Sequence, residues 1–147
     1  MPNCPKCGHP WPAQATYCGD DGTPLDPSVP VDPLVGKVLE DRYQILAPLG
    51  AGGVGAVYRA KRLRIEKIFA VKFLRGEFAN DPEFLQRFER EAVAMSRLSH
   101  LNCVSLVDFG VAFGMPYIVM ELFEGGSLAD EVVKGRLDVA RAIRIAR

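Results

Sequence analysis

The stretch that decides the fold is a glycine-rich turn between strand-like segments, and it reads Gly50-Ala51-Gly52-Gly53-Val54-Gly55-Ala56-Val57. Residues without a Cβ let backbone N–H groups approach phosphate oxygens and permit a tight turn. Apolar alternation continues directly after the turn, so it joins a strand to a strand. The dinucleotide-binding turn of the same glycine spacing joins a strand to a helix instead. The pattern predicts an antiparallel hairpin with a phosphate-binding turn, and the alternative is a plain glycine-rich hairpin.

The segments around the turn predict a sheet with one long helix. Strand-like alternation covers residues 43–49, 57–63, 68–74, 104–109 and 117–122. Asp81 can cap a helix that begins at Pro82, and apolar residues recur at helical spacing from Phe84 to Leu98. Two further helical patterns cover residues 127–134 and 138–147. We expect an α+β fold with a five-stranded antiparallel sheet, one long helix and the start of a helical region.

A lysine in the third predicted strand is a candidate anion-binding residue. Alternation places Lys72 on a largely apolar face, where an ammonium group needs a negatively charged partner. Glu91 follows Phe88 by three residues in the predicted helix, which favours the inward side. We therefore predict a buried pair between Lys72 and Glu91. The alternative is an exposed helical pair between Arg87 and Glu91, which would contribute little stability.

These motifs in this order resemble the small lobe of a protein kinase, most of all the bacterial Ser/Thr kinases of eukaryotic type. The resemblance includes Ala70-Val71-Lys72, Glu91, Leu98-Ser99-His100-Leu101-Asn102 and Tyr117-Ile118-Val119-Met120-Glu121. It implies ATP as ligand, with Mg²⁺ as cofactor and protein substrates in the complete enzyme. The small lobe would cover residues 38–125, and residues 126–147 would begin the large lobe.

The resemblance also implies roles for individual residues. Lys72 would hold the α- and β-phosphates, and Glu91 would orient Lys72. Val57 and Ala70 would touch adenine, and Met120 would be the gatekeeper beside it. Backbone groups of the hinge residues Glu121 and Phe123 would form hydrogen bonds with the adenine edge. The implied nucleotide-binding set is Gly50, Ala51, Gly52, Gly53, Val54, Gly55, Val57, Ala70, Lys72, Met120, Glu121 and Phe123.

The remaining catalytic parts of that family are not found in the sequence. Asp108-Phe109-Gly110 spells the metal-binding triplet but precedes the predicted hinge, so we interpret it as the end of the fourth strand, with Asp108 exposed or capping a turn. No His-Arg-Asp segment with a downstream Asn occurs. We expect a truncated lobe that is inactive alone. The alternative is a non-catalytic interaction module, so the sequence leaves open whether the chain is an enzyme.

A cysteine cluster near the start predicts a metal site. Cys4-Pro5-Lys6-Cys7-Gly8 has the two-residue ligand spacing of a zinc knuckle, and Cys18-Gly19-Asp20-Asp21-Gly22 repeats its shape. The pattern resembles a zinc ribbon with Zn²⁺ bound by Cys4, Cys7, Cys18 and, as fourth candidate, Asp21. His9 and Asp20 are alternative fourth ligands. The other interpretation is a tail that carries reduced thiols.

Composition divides the chain and limits its partners. Residues 1–23 form the zinc-ribbon-like module, and the proline-rich residues 24–37 form a linker. The 147 residues carry a formal net charge of zero, so the overall charge does not favour nucleic acid. Neither a signal peptide nor a membrane-spanning run is found, and in a reducing compartment the ligand-like spacing of the cysteines favours a metal over disulfides. We expect a cytoplasmic chain with no nucleic-acid or membrane partner in this segment.

Overall fold

The computed structural model describes residues 3–26, 28, 32–52 and 55–146. The strands are β1 (Val38–Leu39), β2 (Tyr43–Gly52), β3 (Gly55–Arg62), β4 (Lys67–Leu74), β5 (Leu106–Ala112) and β6 (Met115–Glu121). The helices are a short 3-10 helix (Gly76–Asn80), α1 (Pro82–Ser96), α2 (Leu128–Val133) and α3 (Val139–Ala146).

The strands form one sheet in the order β1-β2-β3-β4-β6-β5, and every neighbouring pair is antiparallel. The prediction of an antiparallel sheet is confirmed, but the number of strands was wrong, because the described residues form six strands and not five. The added strand is β1, in which Val38 and Leu39 pair with the start of β2. Its connection turns through Glu40 and Asp41, whose φ angles of 44° and 55° are uncommon for residues other than glycine. A two-residue strand shows no alternation, so the sequence pattern could not reveal it.

The main core lies on one face of the sheet. Alternate residues of the central strands point to this face, and their side chains are almost completely inaccessible to water. Leu34 and Leu39, from residues 34–39, pack against them. Aromatic rings meet edge to face within it, with 5.7 Å between the ring centroids of Tyr58 and Phe73. The core residues are Leu34, Leu39, Tyr43, Ile45, Tyr58, Ala60, Phe69, Val71, Phe73, Tyr117 and Val119.

Helix α1 begins as the sequence predicts. Asp81 is the N-cap, its carboxylate accepts hydrogen bonds from two backbone N–H groups of the first turn at 3.0 and 3.1 Å, and Pro82 is the first helical residue. The ring of Phe88 lies edge to face against Phe109 of β5, with 6.3 Å between centroids. Helix α1 consequently packs against β5 and the 3-10 helix. Within α1, only Phe88 and Ala92 are buried.

The last two helices form where the sequence predicts helical structure. Ser127 and Asp130 make a reciprocal capping box at the start of α2, in which each side chain binds the other's backbone N–H. All residues of α3 and all but one of α2 are exposed. No helix among the described residues combines the length and the apolar character required to cross a bilayer.

Candidate nucleotide and metal sites

Strands β2 and β3 lead into the glycine turn and pair as far as Gly52 and Gly55. Ala51 is exposed at the end of β2. Gly53 and Val54, which were predicted to contact phosphate, lie outside the described residues. The strand-turn-strand context on which the prediction depends is therefore present.

The glycines of this turn meet two different environments. A Cβ on Gly55 would lie 1.9 Å from the carbonyl oxygen of Phe73 in β4, a distance that no side chain tolerates. A Cβ on Gly50 or Gly52 would have no atom within 4 Å. Gly55 is thus required for packing between strands, whereas Gly50 and Gly52 leave open space beside the turn into which a ligand can fit.

Four of the predicted nucleotide-binding residues lie on one face of the sheet. Val57 pairs with Lys72, and Ala70 pairs with Met120, across antiparallel ladders. Directly paired residues share a face, as do residues two apart in one strand. We call the face that carries Val57, Ala70, Lys72 and Met120 the Lys72 face. It is opposite the main core and continues to the open side of the glycine turn.

The predicted Lys72–Glu91 pair is not formed. Lys72 is half-buried and Glu91 is exposed, and the ion pairs among the described residues include neither of them. The cause is the orientation of α1. Phe88 and Ala92 are the buried residues of α1, and Glu91 lies about 60° around the helix from Phe88 and about 100° from Ala92. Because Phe88 anchors the helix on β5, the Glu91 side chain stays in solvent.

The predicted hinge begins where β6 ends. The backbone N–H of Glu121 donates to the carbonyl of Ser105 at 3.1 Å, so this donor is already satisfied within the fold. Phe123 lies just beyond the strand and is 64% exposed. The backbone N–H of Glu121 is thus already used within the fold, whereas Phe123 is accessible to a ligand.

Arg59 is a prominent residue of the Lys72 face that was assigned no function from the sequence. It pairs with Ala70 in the ladder, and its side chain is only 20% exposed. Its Nε donates to the carbonyl of Gly19 at 3.0 Å, and its Nη1 lies 2.7 Å from the carboxylate of Glu124. Alternation could have placed Arg59 on this face, but no local signal indicates its two distant partners.

Asp108 was predicted at the end of a strand, either exposed or capping a turn. It lies inside β5 instead, and its side chain is 21% exposed. Its carboxylate lies 2.6 Å from Arg42 Nη1 and accepts a hydrogen bond from the Tyr43 hydroxyl at 3.1 Å. Burial, reinforced by the charge of Asp108, raises the pKa of Tyr43. The Asp108 carboxylate therefore stabilises the junction between β2 and β5.

The cysteine module, which the structure describes over residues 3–23, brings the predicted metal ligands together. The ligand atoms of Cys4, Cys7, Cys18 and Asp21 all lie within 4.8 Å of one another. The sulfurs of Cys7 and Cys18 are 3.6 Å apart, and the Cys4 sulfur is 3.6 Å from an Asp21 oxygen. Tetrahedral zinc with Zn–S bonds of about 2.3 Å requires ligand separations of about 3.8 Å. The donor set and its spacing fit a single zinc ion.

Two turns of the same construction form this cluster. Gly8 N–H donates to the Cys4 carbonyl at 2.9 Å, and Gly22 N–H donates to the Cys18 carbonyl at the same distance. The two glycines have φ angles of 76° and 74°, the left-handed region that glycine adopts most easily. Asp21 therefore takes the structural place in the second turn that a cysteine takes in the first.

Proton affinities differ within the cluster. Burial raises the pKa of the Cys18 thiol to about 12. Burial also opposes ionisation of Cys4, but the backbone N–H groups two and three residues further on donate to its sulfur at 3.4 Å, and its pKa is lowered. Burial of Asp21 is likewise outweighed by hydrogen bonds from Thr23, which lower its pKa to about 2. Asp21 is therefore an anion at neutral pH.

The two alternative fourth ligands bind each other. His9 Nδ1 lies 2.8 Å from an Asp20 oxygen, on the outside of the module. Neither residue belongs to the cluster of ligand atoms. The geometry favours Asp21 as the fourth ligand.

The chain is similar to protein kinases in sequence and in structure. Residues 43–146 match the family described as "Protein kinase domain". Serine/threonine-protein kinase PrkC of Bacillus subtilis is 42% identical over 113 residues, which are 76% of this chain and 17% of that protein. Serine/threonine-protein kinase pkn3 of Myxococcus xanthus is 42% identical over 98 residues, which are 66% of this chain and 18% of that protein.

Solved structures agree with the sequence matches. The crystal structure of the PknI kinase domain of Mycobacterium tuberculosis superposes with a TM-score of 0.65 and 26% identity. The alignment covers 75% of this chain and 45% of the PknI chain. The chain thus spans less than a fifth of the length of PrkC and pkn3 and less than half of that kinase domain.

Proposed function

Because this chain belongs to the protein kinase family and its relatives are bacterial serine/threonine kinases, we propose that its sheet and α1 form a small lobe that binds ATP. The observation that supports this proposal is the common face of Val57, Ala70, Lys72 and Met120 beside a glycine turn with open space. An apolar face suits an adenine ring, and a lysine suits phosphate.

The proposal assigns one role to each part of the site. Backbone N–H groups of residues 50–55 approach the phosphates, Lys72 neutralises the α- and β-phosphates, and Met120 borders the adenine. The carbonyl of Glu121 and the backbone of Phe123 bind the adenine edge. Mg²⁺ and protein hydroxyl substrates belong to the complete enzyme, which transfers the terminal phosphoryl group. Glu91 orients Lys72 only after α1 has rotated from its present position.

A titration with Mg-ATP tests nucleotide binding. Isothermal titration calorimetry on residues 1–147 should give saturable binding, and Lys72→Met should weaken it at least tenfold because the phosphates lose a charged partner. Lys67→Met is the matched control, since Lys67 is an exposed lysine on the same strand. Equal affinity for the wild type and Lys72→Met would overturn the proposed site.

The alternative is a non-catalytic interaction module built from a kinase lobe. The exposed Glu91 and the lack of a Lys72–Glu91 ion pair favour this alternative. A thermal melt distinguishes the two functions. A melting temperature that Mg-ATP raises in the wild type but not in Lys72→Met supports nucleotide binding, and a melting temperature that Mg-ATP leaves unchanged in both supports the interaction module.

We also propose that the cysteine module is a zinc ribbon in which Zn²⁺ has a structural role. The supporting observation is the convergence of Cys4, Cys7, Cys18 and Asp21 on one position. Zinc bound by four protein ligands has no open position for chemistry, and a module of this size needs the metal to fold. Native mass spectrometry should find one zinc ion per chain in the wild type and in Cys103→Ser, but none in Cys18→Ser. Cys103 is the matched control because it is an exposed cysteine outside the cluster.

The division of the chain is part of the same proposal. Residues 1–23 are the zinc module, 24–37 the linker, 38–125 the small lobe and 126–147 the start of the large lobe. The cytoplasm is the proposed location because ATP is abundant there and the reducing environment preserves the thiol ligands. The proposed partners are ATP and, for the complete enzyme, protein substrates.

A further inference from the structure

Residues 17–22 of the cysteine module, which include its second turn, contact the lobe and the linker. The Gly19 carbonyl accepts the hydrogen bond from Arg59 at 3.0 Å. Gly22 lies against β2, where a Cβ would come within 2.8 Å of the Leu46 carbonyl oxygen. The Tyr17 hydroxyl accepts a hydrogen bond from the backbone N–H of Asp32 in the linker at 2.7 Å, and the Asp32 carboxylate accepts one from the Tyr58 hydroxyl of β3 at 3.0 Å. All three contacts come from residues 17–22, the same turn that supplies two of the four candidate metal ligands.

Arg59 receives this contact on the Lys72 face. It pairs directly with Ala70, and it follows Val57 by two residues on the same side of β3. Its other hydrogen bond holds Glu124, the residue immediately after Phe123. Arg59 therefore connects the metal-binding turn to the hinge across the edge of the proposed adenine site.

The contacts that residues 17–22 make with Arg59, β2 and Asp32 depend on an ordered turn. A guanidinium group that is 20% exposed loses stabilisation if an acceptor is removed, because water replaces that acceptor poorly in a partly buried position. The Gly19 carbonyl is fixed between Cys18 and Asp21, and Gly19 packs so closely on Trp11 that a Cβ would lie 2.4 Å from the indole ring. The order of such a small module depends on its metal. Loss of the metal would consequently release Arg59 on the Lys72 face.

We infer that the cysteine module is an intramolecular effector of the nucleotide site: with zinc bound, the 17–22 turn fixes Arg59 and Glu124 and raises the affinity of the lobe for ATP. The inference rests on the proposed function of both sites, namely zinc in the module and ATP on the Lys72 face. Coupling between two ligands is reciprocal. Zinc should tighten ATP binding by about fivefold, and ATP should tighten zinc binding by the same factor.

The test measures the affinity for Mg-ATP by calorimetry on residues 1–147, once with zinc bound and once after the metal has been removed by a chelator. The wild type should bind Mg-ATP about fivefold more tightly with zinc. Arg59→Gln should retain its zinc but show equal affinity in both states. Arg64→Gln is the matched control, because Arg64 is an exposed arginine just beyond β3, and it should behave as the wild type.

If Arg59→Gln folds poorly, Glu124→Gln tests the same inference. Glu124→Gln removes only the exposed carboxylate that Arg59 holds, and it should reduce the zinc effect without changing zinc content. Equal affinities of the zinc-bound and zinc-free wild type would overturn the inference, as would an undiminished zinc effect in Arg59→Gln or Glu124→Gln. A chain without bound zinc, or without any Mg-ATP binding, would overturn the proposed function of that site and the inference with it. Zinc content and the ATP isotherm are measured separately, so these failures are distinguishable.

Discussion

Gly55 lies directly against the carbonyl oxygen of Phe73, with only 1.9 Å between that oxygen and the position a Cβ would occupy. Gly55→Ala should therefore force the backbones of β3 and β4 apart. We expect it to lower the free energy of unfolding by about 2–4 kcal/mol. Urea denaturation followed by circular dichroism measures the loss.

Gly50→Ala is the control for this substitution. A Cβ at Gly50 meets no atom within 4 Å, so the stability should change by less than about 1 kcal/mol. The same variant should still weaken Mg-ATP binding if the open space beside the turn receives phosphate. Equal stability of the two variants would show that the strands separate easily at Gly55.

The fourth metal ligand can be identified by exchanging Asp21 for related residues. Asp21→Asn removes the anionic oxygen and should weaken zinc binding by at least about tenfold, since even residues that only support a ligand cost 10–100-fold when they are changed. Asp21→Cys should bind zinc at least as tightly as the wild type, because Cys7 takes the equivalent place in the first turn. Competition with a chromophoric chelator gives the affinities. Asp20→Asn tests the alternative ligand, and a larger loss in that variant would contradict the assignment.

Stability at alkaline pH should depend on Tyr58. Burial, assisted by the hydrogen bond that its hydroxyl donates to Asp32, raises its pKa from 10.0 to about 12. A raised pKa in the folded state stabilises the fold fully below the unfolded value and loses that contribution as the pH rises through the folded value. Between pH 10 and 12, the free energy of unfolding should therefore fall more steeply for the wild type than for Tyr58→Phe. Parallel curves for the two proteins would contradict this expectation.

Glu91 should contribute little to the stability of this chain. It is exposed on α1 and makes no ion pair with another described residue, so Glu91→Gln should change the free energy of unfolding by less than about 0.5 kcal/mol. Arg90→Gln is a neighbouring exposed control. A loss above about 1 kcal/mol in a thermal melt would mean that Glu91 has a buried partner in solution.

Local signals in the sequence predicted those parts of the fold that depend on neighbouring residues. Asp81 and Pro82 specify the start of α1 by themselves, because the cap satisfies donors only two and three residues away. The alternation around Lys72 likewise placed it on one face with Ala70. In each case the physical cause lies within one turn or one strand.

Long-range contacts account for what the sequence did not predict. The rotation of α1, and hence the exposure of Glu91, depends on the contact between Phe88 and Phe109. The hydrogen bond between Arg59 and Gly19 joins residues 40 positions apart, and the spacing of apolar residues in the sequence cannot predict such a contact. The pairing that was predicted for Lys72 failed for this reason, since helical spacing fixes which residues share a side but not which neighbour that side meets.

The three sulfurs and one oxygen of the cysteine module have a consequence for oxidative stress. An odd number of thiols cannot all be converted to disulfides within one site, and the sulfurs of Cys7 and Cys18 are only 3.6 Å apart. Their oxidation would leave Cys4 and Asp21 as two isolated donors, too few to retain a zinc ion. A single two-electron oxidation would therefore empty the site, and the remaining thiol of Cys4 would be free to exchange with a small disulfide such as oxidised glutathione.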